Sequence, residues 1–218
     1  MVFPDPLVMH WAVLWEFRDA LLRGLALTVV ISAVCIAASL ALGTLAGCVA
    51  GFGGPLLRRL VALYVEVMRN TPVVAKLFFL YFVAGLDAIP AGVIALTAHQ
   101  SGYIADVVAS GFRSVAREQF EAAWSQGLLP VQIFGSVLLP QVWRLILPPL
   151  TSQFIEVVKN SAVIMLIGIE ELTFQTQHIE HETFRGFEAA TAVTLLYLVL
   201  ALLISGGMTL LARRMRTA

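Results

Sequence analysis

Residues 24–57 read "GLALTVVISAVCIAASLALGTLAGCVAGFGGPLL", and between Arg23 and Arg58 no side chain carries a charge. A helix that crosses the hydrocarbon of a bilayer needs roughly 20 apolar residues, and this run is longer. The rest of the chain agrees. Of its 218 residues, 59% are hydrophobic and 13% charged, whereas soluble domains carry about 25% charged residues. A single core of this length cannot hide so much apolar surface from water. The sequence therefore reads as an all-α integral membrane protein. A cleaved signal peptide does not fit, because the run is too long and Asp5, Glu16 and Asp19 precede it in place of a basic region. Cys35 and Cys48, thirteen residues apart, would stand roughly 20 Å from each other on one helix and cannot pair. They read as small apolar fillers. A formal net charge of zero gives no footprint for nucleic acid.

Outward from this run, five spans can be drawn: about Leu21–Ala50, Leu57–Ala84, Pro90–Phe112, Val142–Gly168 and Phe187–Ala212. Basic residues in short loops mark the cytoplasmic side. Arg58 and Arg59, Arg113 and Arg117, and the tail residues Arg213, Arg214 and Arg216 fall on one side of a five-span chain. The N-terminus, the "GLDAIP" loop and the segment 170–186 fall on the acidic side. The expected orientation is N-terminus outside and C-terminus cytoplasmic. Residues 1–20, with Trp11 and Trp15, read either as an outer interfacial segment or as an ordinary aromatic belt. Residues 21–218 form the membrane domain.

Polar side chains at membrane depth are costly and mark functional places. In "EVMRNTPVVAK" (66–76), Pro72 interrupts the second span, and irregular backbone at this depth is tolerated where it lines a wet cavity or is buried in protein. Arg69, Asn70 and Thr71 are thus candidates to line a solute path, the alternative being a packing kink with Arg69 reaching the interface. In the third span His99, Gln100 and Ser101 are consecutive, so at about 100° per residue they cannot share one face. Contact with solute and interhelical hydrogen bonds are both open for them. In the fourth span Glu156 and Lys159 are neighbours at i, i+3, with Asn160 and Ser161 beside them. They read as a self-neutralising pair or as a charged wall that receives a zwitterion. "HIEHE" (178–182) lacks the spacing of a zinc-binding helix and reads as a solvated outer loop. No G-x-S-x-G element or phosphate-binding G-x-x-x-x-G-K-[ST] loop occurs, so any use of ATP falls to another chain.

The stretch "EAAWSQGLLPVQIFGSVLLP" (121–140) is polar and Gly-containing amid apolar runs, between spans three and four. It resembles the signature of bacterial ABC importer permeases, carried by Glu121, Ala122, Ala123, Gly127, Val137, Leu139 and Pro140, with Val137 where isoleucine is usual. "YVEVMRNTPVVAKLFFLYF", "GYIADVVASGFRSV" and "VVKNSAVIMLIGIEEL" are similar to the polar amino-acid branch of that family, and "RNTP" with "VKNSA" to its glutamate/aspartate-type members.

The resemblance covers about Leu21–Arg216. It implies the type I importer permease fold, with about 114–140 as a coupling segment in which Glu121, Ala122, Ala123 and Gly127 meet an ATPase. It implies a multi-pass subunit in the bacterial inner membrane that is not an enzyme. The cargo would be an acidic or neutral polar amino acid, carried by alternating access. Implied partners are a second permease, identical or homologous, two cytoplasmic ATPase subunits and an external solute-binding protein, besides membrane lipid. This chain would bind no cofactor, with ATP and Mg used by the ATPase. The candidate pocket residues are Arg69, Asn70, Thr71, Gln100, Ser101, Glu156, Lys159, Asn160 and Ser161. The rival reading is an ion-coupled secondary transporter using His99, Asp106, Glu156 and Lys159. Such a protein has no use for an ATPase dock.

Overall fold

The computed structural model describes residues 9–217, and its regular structure is entirely helical. The first eight residues of the expected outer segment, with Ala218, lie outside the described residues. A short α1 (Ala12–Glu16) leads into the long α2 (Arg18–Phe52). α3 (Pro55–Asn70) and α4 (Val73–Phe78) share the second apolar segment, and α4 runs on as a π turn over Phe79–Val83. α5 is Ala88–Ser114, α6 Arg117–Ser125 and α7 Pro130–Gln132. A π turn (Ile133–Leu138) joins α7 to α8 (Leu139–Ser161), which tightens to a 3-10 turn over Ala162–Ile167. α9 (Leu172–Thr183) and α10 (Gly186–Thr217) complete the chain.

Helices occupy all five apolar segments. Among the described residues, three stretches are long and apolar enough to cross a membrane: Arg18–Phe52, Pro130–Ile167 and Gly186–Met215. α5 falls short for a structural reason. It is the central helix, packed on α2, α3 and α8, so Thr97, Gln100 and Ser101 are buried in protein rather than set against lipid.

The α2–α5 contact is set by small side chains. Gly24, Thr28, Ser32, Cys35, Ser39, Gly43 and Gly47 recur every three or four residues along α2 and are buried, Gly24 and Thr28 against the start of α9 and Cys35, Gly43 and Gly47 against α5. A Cβ on Gly43 would stand 2.6 Å from Cβ of Ile104 and 2.8 Å from the Ser101 carbonyl oxygen. A Cβ on Gly47 would stand 2.6 Å from Cβ of Val108 and 2.8 Å from the Ala105 carbonyl oxygen. Such small-residue seams let helix backbones approach where lipid gives no hydrophobic drive for association. Below this seam Ile104, Val108, Val142, Ile146 and Leu150 knit α5 to α8.

The stretch 178–182 is not a loop. All of "HIEHE" falls within the helix Leu172–Thr183, with His178, Glu180, His181 and Glu182 exposed. Leu172, Gln175 and Ile179 turn inward, and the His178 ring stands edge-on to Phe17 at 5.8 Å. A stripe of two apolar residues and one Gln is too sparse to announce a helix in the sequence. Nearby, α1 is tied down by the His10 amide, which donates to Glu188 Oε1 at 2.8 Å, while Trp15 stays exposed. Arg185 stands 3.6 Å from the same carboxylate oxygen.

Candidate functional site

The second apolar segment breaks between Asn70 and Val73, where Thr71 and Pro72 are extended. Pro72 has no N–H, so the Met68 carbonyl four residues earlier loses its helical donor. Side chains replace it. Lys76 Nζ lies 2.9 Å from the Met68 oxygen, 2.6 Å from the Thr71 oxygen and 3.1 Å from His99 Nδ1. The Tyr103 hydroxyl donates to the Arg69 carbonyl at 3.4 Å, and the Thr71 hydroxyl donates back to Val67 at 2.8 Å. The exposed ends of the broken helix are thus capped from α4 and α5.

A polar line descends α5 from this break. His99, Tyr103, Asp106, Ser110 and Ser114 are three or four residues apart, hence on one face over about 22 Å, and none is buried. Arg69 reaches across from α3 to Asp106, Nη1 to Oδ2 at 2.6 Å, with its guanidinium 5.0 Å from the Tyr103 ring centre. Arg113 lies 3.8 Å from the other carboxylate oxygen. A cavity of about 320 Å³ opens beside Asp106, walled by Ser110 and Ser114 and by Leu145 and Pro149 of α8. Pro148 and Pro149 interrupt the amide ladder of α8 along this wall.

The other expected pocket residues take different places. Gln100 is buried and donates from Nε2 to Gln153 Oε1 at 2.6 Å. Ser101 is buried, hydrogen-bonded to the Tyr64 hydroxyl and donating to the Ala98 carbonyl at 2.8 Å. These two make interhelical and local bonds within the chain, and His99 faces the open side. Glu156 and Lys159 form the expected i, i+3 pair at 2.9 Å. Lys159, however, lines a recess of about 360 Å³ with Thr173, Thr176 and Tyr197 of α9 and α10, while Arg69 is engaged with Asp106 on α5. Asn70 is exposed, Thr71 and Asn160 are half-buried, and Ser161 is fully buried, donating to the Val158 carbonyl at 2.7 Å.

The segment 114–140 forms an elbow. α6 ends in a Schellman turn, with the Gly127 amide donating to the Trp124 carbonyl at 2.9 Å and the Leu128 amide to the Ala123 carbonyl at 3.3 Å. Gly127 has φ +79° and supplies the left-handed residue this turn needs. Glu121, Ala122 and Gly127 are exposed, but Ala123 is not. The expectation that every short Ala here faces a partner is corrected at this position. Ala123 packs inward on Ile133 and Leu138 because the elbow has its own small core. Phe134 joins that core to the main body through Phe112, which it stacks on at 5.6 Å, and Phe52, edge-on at 4.9 Å. The elbow is therefore fastened to the ends of both α2 and α5. Phe120 and Trp124 stack at 6.2 Å and are exposed, Phe120 also lining the recess between the elbow and Gly51, Phe52 and Arg58.

The family model for binding-protein-dependent transport system inner membrane components matches residues 43–217. The chain belongs to this family. The glutamine transport system permease GlnP of Escherichia coli K12 is 32% identical over 213 residues, covering 94% of this chain and 97% of the relative. The probable glutamine ABC transporter permease GlnM of Bacillus subtilis 168 is 32% identical, covering 95% and 98%. The glutamate/aspartate import permease GltJ of Escherichia coli K12 is 31% identical over 172 residues, covering 71% and 70%. Among solved structures, that of an amino acid ABC transporter with histidines superposes with a TM-score of 0.87 at 27% identity, covering 95% of this chain and 100% of that one. An inward-facing MetNI methionine ABC transporter shares the fold, with a TM-score of 0.81 at 22% identity and 92% and 98% coverage. The expected family and inner-membrane location thus stand.

In this inner-membrane component several residues matter that the sequence did not single out. Phe120 and Trp124 form the exposed face of the elbow, a role visible only once α6 is placed. Lys76 and Tyr103 cap the helix break. Asp106, singled out in the sequence only for the ion-coupled rival, holds Arg69. Glu171 is fully buried at the start of α9. It accepts from the Phe174 amide at 2.9 Å, the Tyr197 hydroxyl at 2.6 Å and the Thr28 hydroxyl at 3.4 Å, joining α2, α9 and α10. Burial pushes its carboxyl above the ordinary range, against the hydrogen bonds that favour the anion. Among the described residues no group of three His, Cys, Asp or Glu side chains could hold a metal ion.

Proposed function

We propose that this chain is the membrane subunit of an ATP-driven importer for a polar amino acid, acidic or neutral, of the glutamine and glutamate/aspartate kind. The observation that carries the reading is the elbow. An exposed helix with a stacked Phe120–Trp124 face, bolted through Phe134 to Phe52 and Phe112, can transmit movement of a docked ATPase to α2 and α5. Glu121, Ala122 and Gly127 lie on the outside of the same elbow, and Ala123 holds it together.

The polar face of α5 supports a solute path. Asp106, Arg69, Tyr103 and Ser110 cannot face lipid cheaply, which favours a second permease, identical or homologous, covering them to enclose the path. The helix break at Asn70–Pro72 lies beside this face, in keeping with the use of discontinuous helices at transport sites. The five helical segments would each span the membrane, with the N-terminus outside and α6 cytoplasmic. An external binding protein would deliver the amino acid, and alternating access would move it. The names of the relatives support an amino acid as cargo, with glutamine, glutamate and aspartate foremost.

The test is reconstitution of the tagged chain with its ATPase and binding protein in liposomes, followed by uptake of labelled glutamine, glutamate and aspartate. Uptake that requires ATP hydrolysis and is lost in Glu121→Lys supports the reading. Uptake that persists with hydrolysis blocked, or the absence of uptake of all three, overturns it.

A further inference from the structure

Most cations in the interior and along the polar face of this protein have a carboxylate within ion-pair distance. Arg69 and Arg113 have Asp106, Lys159 has Glu156, and Arg185 has Glu188. Lys76 differs. It is half-buried at the helix break, and among the described residues no carboxylate pairs with it. Its three donors go to the Met68 and Thr71 carbonyls and to His99 Nδ1, which uses all that an ammonium has. His99 Nδ1 also lies 3.1 Å from the Met68 carbonyl oxygen, so Lys76, His99 and Met68 meet at one point of the break. The carbonyl dipoles hold the ammonium in place without cancelling its charge.

The position of this charge gives it a consequence. Lys76 caps the break that presents Arg69, Asn70 and Thr71, and His99, its partner, heads the polar line on α5. A cation fixed at that level, with no carboxylate in ion-pair contact, raises the electrostatic potential along the neighbouring polar face. We infer that Lys76 is a specificity-determining residue whose fixed positive charge favours solutes with a net negative or zero side-chain charge and penalises cationic amino acids. This rests on the amino-acid importer reading above and adds a charge filter to it.

A purely mechanical role for Lys76, as a clamp on the helix break, makes a different prediction, because it would affect all solutes alike. The discriminating measurement is equilibrium binding of labelled glutamate, glutamine and arginine to the purified permease–ATPase complex without the external binding protein. That omission removes the binding protein's own selectivity. The intact complex should prefer glutamate over arginine by roughly 30-fold or more, the scale of one unit charge acting across about 8 Å at an effective dielectric of about 20. Lys76→Gln should narrow that ratio by about the same factor, and Lys76→Arg should keep it. A parallel loss for all three ligands in Lys76→Gln would overturn the filter and leave only the clamp. Equal binding of arginine and glutamate by the unaltered complex would overturn it without recourse to any variant. Failure of the importer reading is seen separately, as absence of ATP-driven uptake in the liposome assay.

Discussion

Gly127→Ala isolates one physical term at the elbow. The residue has φ +79°, and a Cβ built there meets nothing within 4 Å. The substitution therefore adds no clash and costs only backbone conformation. Holding an L-residue in the left-handed region costs roughly 1–2 kcal/mol. At 25 °C that corresponds to about a 5- to 30-fold shift in the local equilibrium against the Schellman turn. If the ATPase recognises α6 as this turn presents it, apparent affinity falls by up to the same factor, because only the competent fraction binds. Gly127→Asn should lose less, since Asn tolerates the left-handed region better than other side chains. Gly127→Val should lose more, being β-branched. Gly135→Ala is the control, for a Cβ there also meets open space and its φ is not positive. The assay is titration of ATPase onto permease in nanodiscs, with uptake measured in parallel. Unchanged affinity across the Gly127 series would refute the claim that the turn geometry presents the dock.

Other outcomes follow from other contacts. Gly43→Val places carbon atoms inside contact distance of Ile104 and of the Ser101 carbonyl; overpacking of this kind costs about 1–3 kcal/mol, and thermal unfolding in detergent should show a lowered midpoint, whereas an unchanged midpoint would mean that α2 and α5 are not so close. Glu171→Gln should remove a pH dependence of stability. The native carboxyl is raised by burial, so its contribution is fully present below the ordinary carboxylate pKa and is lost as pH rises through the raised value. The midpoint of the unaltered protein should therefore fall relative to Glu171→Gln as pH climbs through that window, and parallel curves would show that Glu171 does not titrate there. Lys159→Ala should reduce uptake of glutamate more than that of glutamine; equal reductions would assign Lys159 only to its ion pair with Glu156 and to the recess beside α9 and α10.

The sequence by itself determined the environment and the family. Charge-free runs longer than a bilayer requires leave no other solvent for these helices, and that is a property of composition along the chain. The break at Pro72 was equally legible, because a missing N–H is a local fact. The i, i+3 pairing of Glu156 with Lys159 was local in the same way.

Tertiary structure decided what each polar side chain meets. Whether Gln100 faces solute or Gln153 depends on where α8 lies, 53 residues away in sequence. Whether Arg69 is free for cargo depends on Asp106, brought beside it by the packing of α3 on α5. Ala122 and Ala123 are identical and adjacent, yet one is exposed and the other fills a core that Ile133 and Leu138 build. The hydrophobic pattern of α9 was too thin to read, and its burial comes from the gap that Gly24 leaves on α2, where Gln175 and Leu172 settle. Composition and local geometry are written along the chain. Partners across helices follow from approach distances, and here those distances are set by small residues whose importance shows only when a second helix lies against them.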